Sequence, residues 1–285
     1  AGADLSKGLS SGKSVLWLAC EGGHEATVRS LVAAGAEVDG AAADATTALM
    51  VAAERNHEGV VRALLESNAD VHSAKTDGTT ALMIAVQGGH EEIAKLLIGT
   101  GAKAEVSREV DHRTALMMAV EGGGDGVVKV LLDAGANPNA KLPSGMTVLM
   151  LAAEEGNAST VNLLVEAGVP VEGTERPDGG TALIIASKLG NAEAVEALLE
   201  AGAAVDAADT DGDTSLIHAA GAGHVAVVEV LMRHKAMVNQ ANTHSETALT
   251  RAADRGQDNV VKILSAASSA DVDSGQDMDN VGVAT

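Results

Sequence analysis

Asp77-Gly78-Thr79-Thr80-Ala81-Leu82-Met83-Ile84-Ala85-Val86-Gln87-Gly88-Gly89-His90-Glu91-Glu92-Ile93-Ala94-Lys95-Leu96-Leu97-Ile98-Gly99-Thr100-Gly101-Ala102 is the stretch that decides the fold. It opens on a turn signal, Asp77-Gly78, and continues as a short apolar run through Val86. Gly88-Gly89-His90 breaks that run. Ile93, Leu96 and Leu97 then fall at i, i+3 and i+4, which places them on one face of a second helix. Gly101-Ala102 closes the unit. The stretch therefore reads as turn, short helix, glycine-rich turn, second helix and a loop back to the start.

The rest of the chain copies this unit. The leucine equivalent to Leu82 recurs as Leu16, Leu49, Leu116, Leu149, Leu183, Leu216 and Leu249, with successive spacings of 33, 33, 34, 33, 34, 33 and 33 residues. The Gly-His step recurs at Gly23-His24, Gly89-His90 and Gly223-His224. Degenerate forms stand at Asn56-His57, Gly123-Gly124, Gly156-Asn157, Gly190-Asn191 and Gly256-Gln257. A fixed period of this length marks a repeat architecture, in which one unit cannot bury its apolar face alone and gains stability by stacking on its neighbours.

Composition restricts what such an array can do. The chain of 285 residues has no Phe or Tyr, and Trp17 is its single aromatic residue. The core must then be built from Leu, Val, Ile, Ala and Met. Platforms that bind single-stranded nucleic acid or RNA loops stack bases on aromatic rings, and this chain has almost nothing to stack with. A formal charge of −21 also argues against a nucleic-acid or anionic-membrane surface. One cysteine, Cys20, rules out an internal disulfide framework and fits a reducing compartment. No apolar run reaches the length of a membrane span. An intracellular, cytoplasmic setting is the expectation, with the nucleus or an organelle interior left open.

Period, leucines and Gly-His steps together resemble the ankyrin repeat. The resemblance covers the chain except its last twenty or so residues. It implies an all-α solenoid of helix-turn-helix units joined by β-hairpin-like loops, and it implies a protein-binding function. The family's Thr-Pro-Leu-His tetrapeptide stands here as Thr-Ala-Leu-Met at Thr47–Met50, Thr80–Met83 and Thr114–Met117; proline and histidine are missing from every copy.

On this register residues 1–265 form the array and 266–285 an acidic tail or a degenerate ninth repeat. Gly2-Ala3-Asp4-Leu5 matches a repeat's end, as in Gly35-Ala36-Glu37-Val38, so residues 1–5 read as the close of an upstream repeat. Repeat eight reads as a cap, with Thr250, Arg251, Asp254 and Arg255 at positions that are apolar earlier. The stretch after Leu264 has the small, acidic composition of a loosely packed tail. Two hairpins, Lys103–Arg113 and Gly168–Gly180, each carry an extra residue.

Candidate chemistry is sparse. His24, His57, His90 and His224 share one inter-helix turn, so neighbouring copies should lie about 10 Å apart. Zinc needs its ligands at about 2 Å from one ion. These histidines therefore read as holding backbone rather than metal, and no cofactor is expected. Met50, Met83, Met117 and Met150 form a stripe that reads as core. No nucleophile elbow or phosphate-cradling loop is present, so the chain does not read as an enzyme.

The surface is more informative. In ankyrin-like arrays the partner meets the hairpin tips and the exposed end of the first helix. The resemblance places there Glu21, Glu54 with Arg55, Gln87, Glu121, Glu154 with Glu155, and Lys188 with Leu189. Arg113 and Met146 stand beside them, and Lys75, Arg108, Lys141 and Arg176 decorate the hairpin tips. The expected function is a non-enzymatic scaffold whose concave groove receives a basic or mixed-charge segment of another protein. Two alternatives stay open: the targeting or regulatory arm of a larger enzyme or channel, and a structural subunit of a large assembly.

Overall fold

A computed structural model describes residues 13–108, 110–122, 124–173 and 176–276. The proposed upstream remnant at residues 1–5 and the last nine residues lie outside them. Two compact units divide the chain, Ala1–Leu142 and Pro143–Thr285.

In the first unit the described helices come in four pairs. They are α1 (Val15–Glu21) with α2 (Glu25–Ala33), α3 (Ala48–Glu54) with α4 (Glu58–Glu66), α5 (Ala81–Gln87) with α6 (Glu91–Gly99), and α7 (Ala115–Gly122) with α8 (Asp125–Asp133). The first helices of each pair stack on one another, α1 on α3 on α5 on α7, and the second helices form a parallel layer, α2 on α4 on α6 on α8. The second unit repeats the plan. Its pairs are α9 (Val148–Glu155) with α10 (Ala158–Glu166), α11 (Ala182–Leu189) with α12 (Ala192–Glu200), α13 (Ser215–Ala222) with α14 (Val225–Arg233), and α15 (Ala248–Asp254) with α16 (Asp258–Gln276). The last helix runs on to Gln276, into the segment that the sequence reads as a tail.

Each first helix starts where it does because of one hydroxyl. Thr47, Thr80, Thr147, Thr181, Thr214 and Thr247 each accept a hydrogen bond from the backbone N–H three residues on, and Ser14 does the same for α1. A side chain that satisfies one of the orphan donors of a helix start stabilises it by about 1 kcal/mol. Single antiparallel bridges close the hairpins in front of these caps, Ala41 to Thr47, Ala74 to Thr80 and Ala208 to Thr214. The bridge from Ser107 to Thr114 spans one residue more, which locates the insertion in the first of the two lengthened hairpins.

The core lies between the two helical layers of each unit. Leu49, Met50, Leu82, Met83, Leu116, Met117, Leu149 and Met150 are all 2% exposed or less, so the methionine stripe is packing. The second helices contribute a face at i, i+1 and i+4, as in Val60, Val61 and Leu64 or Val227, Val228 and Leu231. Glu25, Glu58 and Glu91 stand in the first turns of α2, α4 and α6, where the helix dipole favours negative charge.

The turn histidines bond across repeats. His57 Nε2 lies 3.1 Å from the carbonyl oxygen of Glu21, His90 Nε2 3.4 Å from that of Glu54, and His224 Nε2 3.1 Å from that of Lys188. Asn191 replaces the imidazole with an amide that donates to the carbonyls of both Ala153 and Glu154. Each staple satisfies a carbonyl at the end of the previous first helix, where no intrahelical donor remains.

Candidate functional site

The expected binding residues sit at the C-terminal ends of the first helices and on the hairpins before them, and the structure sorts them by what they touch. In the first unit, Glu54, Lys75, Gln87 and Arg108 line one open concavity of about 330 Å³, together with Asp77, Thr79, Ile84 and Gly88. Its walls are mostly polar. Arg108 is committed to Asp111, bonding it through both Nε and Nη2. That contact raises the guanidinium's pKa and lowers the Asp111 carboxyl below the usual carboxylate range. Asp77 is also lowered, chiefly by the Thr79 backbone N–H that it accepts.

Two further pairs in this unit close on themselves. Glu21 stands 3.7 Å from Arg55 and 3.9 Å from Lys13, and Lys13 in turn lies 3.7 Å from the centre of the Trp17 ring. Arg113 bonds Glu121 directly and stands 3.4 Å from Asp111. The sequence reading offers Arg113 and Glu121 to a partner separately; the structure joins them to each other. Lys141 is exposed and lines neither concavity.

In the second unit five expected residues converge. Met146, Glu154, Arg176, Lys188 and Leu189 line a concavity of about 190 Å³ with Asp178, Gly180, Ile184, Ile185, Asp209 and His218. Leu189 is 50% exposed, an unusual state for a leucine within a helix whose other aliphatic residues are mostly buried. Arg176 makes a forked contact with Asp178, Nε to Oδ1 at 3.0 Å and Nη2 to Oδ2 at 2.8 Å. The guanidinium holds the Asp178 carboxyl down to about 2. His218 Nε2 lies 2.8 Å from Asp209 Oδ2. Glu155 is exposed at the end of α9 but does not line the concavity.

Sequence reasoning missed Asp178, Asp209 and His218 here, and it also missed Val110, which stands 73% exposed on the lengthened hairpin. A signal for His218 exists. The fourth residue after the capping hydroxyl is Val51, Ile84, Met118, Leu151 and Ile185 in successive repeats, then His218 and Arg251. Two polar substitutions in an aliphatic column mark a local polar network. Arg251 Nη2 reaches Asp213 and Glu246, and Asn242 donates to Asp213 at 2.6 Å.

Asp209, Asp213 and His218 place three potential ligand atoms within 4.8 Å of one another. Arg251 already supplies the positive charge at Asp213, and the Asp209 carboxylate accepts the Asp211 and Asp213 N–H groups as well as the imidazole contact. The cluster is a hydrogen-bonded network whose carboxylates already have partners within the protein. Among the described residues no helix is long and apolar enough to cross a membrane.

Stacked helix pairs with capped first helices, joined by hairpins, define a helical repeat protein. The family model for ankyrin repeats (3 copies) matches residues 1–75, 68–142, 136–209 and 202–276, and the chain belongs to that family. Ankyrin repeats are protein–protein interaction modules, and the family is typically non-enzymatic. No curated protein matches the chain.

Proposed function

We propose that this chain is a non-enzymatic interaction scaffold that receives another protein on the ends of its first helices and the adjoining hairpins. The observation that carries this reading is the convergence of Met146, Glu154, Arg176, Lys188 and Leu189 on one concavity, with a half-exposed leucine in its lining. A solvated leucine beside ordered charges is the anatomy of an interface, where an apolar centre is ringed by polar groups. The acidic ends of α3 and α9 supply a second attraction, toward a basic or mixed-charge segment. Neither nucleic acid nor membrane insertion fits this surface. The buried free thiol of Cys20 fits an intracellular setting.

The test is affinity capture from native lysate at low and high salt, with the wild-type chain and with Glu54→Gln and Glu154→Gln. Exposed charge contacts weaken as ionic strength rises. A partner that is retained at low salt by the wild-type chain and lost by the variants supports the acidic helix ends as its docking points. Retention by the variants in high salt would remove those helix ends from the interface.

A further inference from the structure

The concavity of the second unit carries a more specific reading, which rests on the partner-binding function just proposed. Its volume of about 190 Å³ falls below the roughly 300–1,000 Å³ of clefts that enclose drug-sized ligands. It lies close to the ~150 Å³ of a cavity that takes up one benzene molecule. A concavity of that volume has room for one side chain. Its apolar surface comes from Met146, Ile184, Ile185 and Leu189, all aliphatic or thioether. Burial of a matching aliphatic group on that surface is the favourable term.

The charges around the seat divide into two kinds. Arg176 is bound in a forked contact to Asp178, and the His218 ring is held 2.8 Å from an oxygen of Asp209. Glu154 and Lys188 line the same concavity from α9 and α11; neither makes a salt bridge among the described residues, and Glu154 feels the Arg176 guanidinium only at longer range, helping to raise that group's pKa. A segment that covers them strips their water. A covered charge left unpaired opposes binding, whereas a complementary one restores the loss and fixes register. Partners that lack the two complementary charges are thereby rejected.

We propose that this concavity takes a linear peptide segment of another protein in which one aliphatic side chain is flanked by a basic residue and an acidic residue. The aliphatic group seats against Leu189 and Met146, the basic residue faces Glu154 and the acidic residue faces Lys188. The order of the two charges sets the direction in which the segment runs. The surplus of acid in residues 143–285, 21 Asp and Glu against 7 Lys and Arg, draws the basic end in first.

Random peptides displayed on phage, selected in parallel against the full wild-type chain and against the double variant Glu154→Lys, Lys188→Glu, test this directly. Both substituted positions are exposed, so the variants should keep the wild-type circular dichroism spectrum. The wild-type pool should enrich an aliphatic residue between basic and acidic neighbours in one order. The double variant should enrich the same aliphatic residue with the order reversed. A synthetic peptide from the wild-type pool should bind Leu189→Ala about tenfold more weakly and should shift the Met146 methyl resonance. Pools with the same charge order for both proteins, or affinity indifferent to Leu189→Ala, would overturn the proposal. Peptides that depend on Glu54 alone would overturn it while leaving the protein-binding reading intact. A library that yields no binder would overturn both.

Discussion

Arg251 Nη2 lies 3.0 and 3.1 Å from the two carboxylate oxygens of Asp213, a residue of the preceding repeat whose side chain is only 8% exposed. Asp213 sits just before the Thr214 cap of α13 and Arg251 on the second turn of α15. The contact therefore clamps the last first-helix onto the hairpin before its neighbour. It also explains an arginine in a column that is otherwise mostly aliphatic. The guanidinium is paid for by Asp213 and Glu246 together.

Removal of that guanidinium strands a buried carboxylate. Arg251→Ala should destabilise the second unit by about 3 kcal/mol, near the low end for a broken buried pair. The companion Asp213→Asn, Arg251→Met should recover part of the loss, because no charge is left unpaired. Urea unfolding of the single and double variants measures the coupling. A loss well below 1 kcal/mol in Arg251→Ala would show that the pair is solvated rather than structural.

Two glycines separate backbone strain from steric contact. Gly190 and Gly202 both have left-handed φ, 84° and 93°, which an alanine adopts only at a cost of about 1 kcal/mol. A Cβ at Gly202 meets nothing within 4 Å, whereas one at Gly190 would lie 2.7 Å from His224 Nδ1. That ring is the staple to the Lys188 carbonyl. Gly202→Ala should therefore lower stability by about 1 kcal/mol and Gly190→Ala by about twice that. Equal losses in thermal unfolding would mean that the staple contributes nothing.

Burial pushes the Cys20 thiol up to about 12. Only the thiolate attacks disulfide reagents, and Cys20 is 0% exposed. At pH 8 the native chain should leave Ellman's reagent unreacted over minutes, and the same sample in urea should release one equivalent. Fast release from protein with a native circular dichroism spectrum would place the thiol outside the core.

Asp178 should titrate far below the ordinary carboxylate range. Arg176 and the Gly180 N–H favour its charged form in the folded state, with a pKa of about 2 against the usual 3.8. A carboxyl whose folded pKa is depressed adds stability above its unfolded pKa and loses it as pH falls through the folded value. The contribution should thus be complete above about pH 4 and vanish toward pH 2. With the side chain 56% exposed, solvent screening holds it to about 1 kcal/mol or less. The stability difference between wild type and Asp178→Asn, followed by urea unfolding from pH 7 to pH 2, should shrink in that window. A difference independent of pH would locate the effect in packing instead of charge.

Much of the fold is legible in the residues themselves. The leucine period and the Gly-His steps mark the sixteen helices among the described residues, with Met50, Met83, Met117 and Met150 buried; the second-helix face expected at i, i+3 and i+4 is instead buried at i, i+1 and i+4, as Ile93, Ala94 and Leu97. These features follow from local turn chemistry and from the spacing of apolar groups, which one strand of sequence contains in full. That Glu154 and Lys188 come side by side was also readable, because both stand seven residues after their capping threonines, Thr147 and Thr181, and equivalent residues of stacked repeats adjoin.

The pairing of charges was not readable. Glu121 and Glu154 are equivalent in the repeat, yet Glu121 is bound by Arg113 while Glu154 makes no salt bridge among the described residues. Arg251 reaches 38 positions back to Asp213, and His218 reaches nine to Asp209. The period says which columns adjoin, but a salt bridge needs two charged ends within about 4 Å. That distance depends on hairpin length, side-chain reach and the stacking of neighbouring repeats, so the tertiary structure alone decided which charges pair inside the protein and which make no salt bridge there.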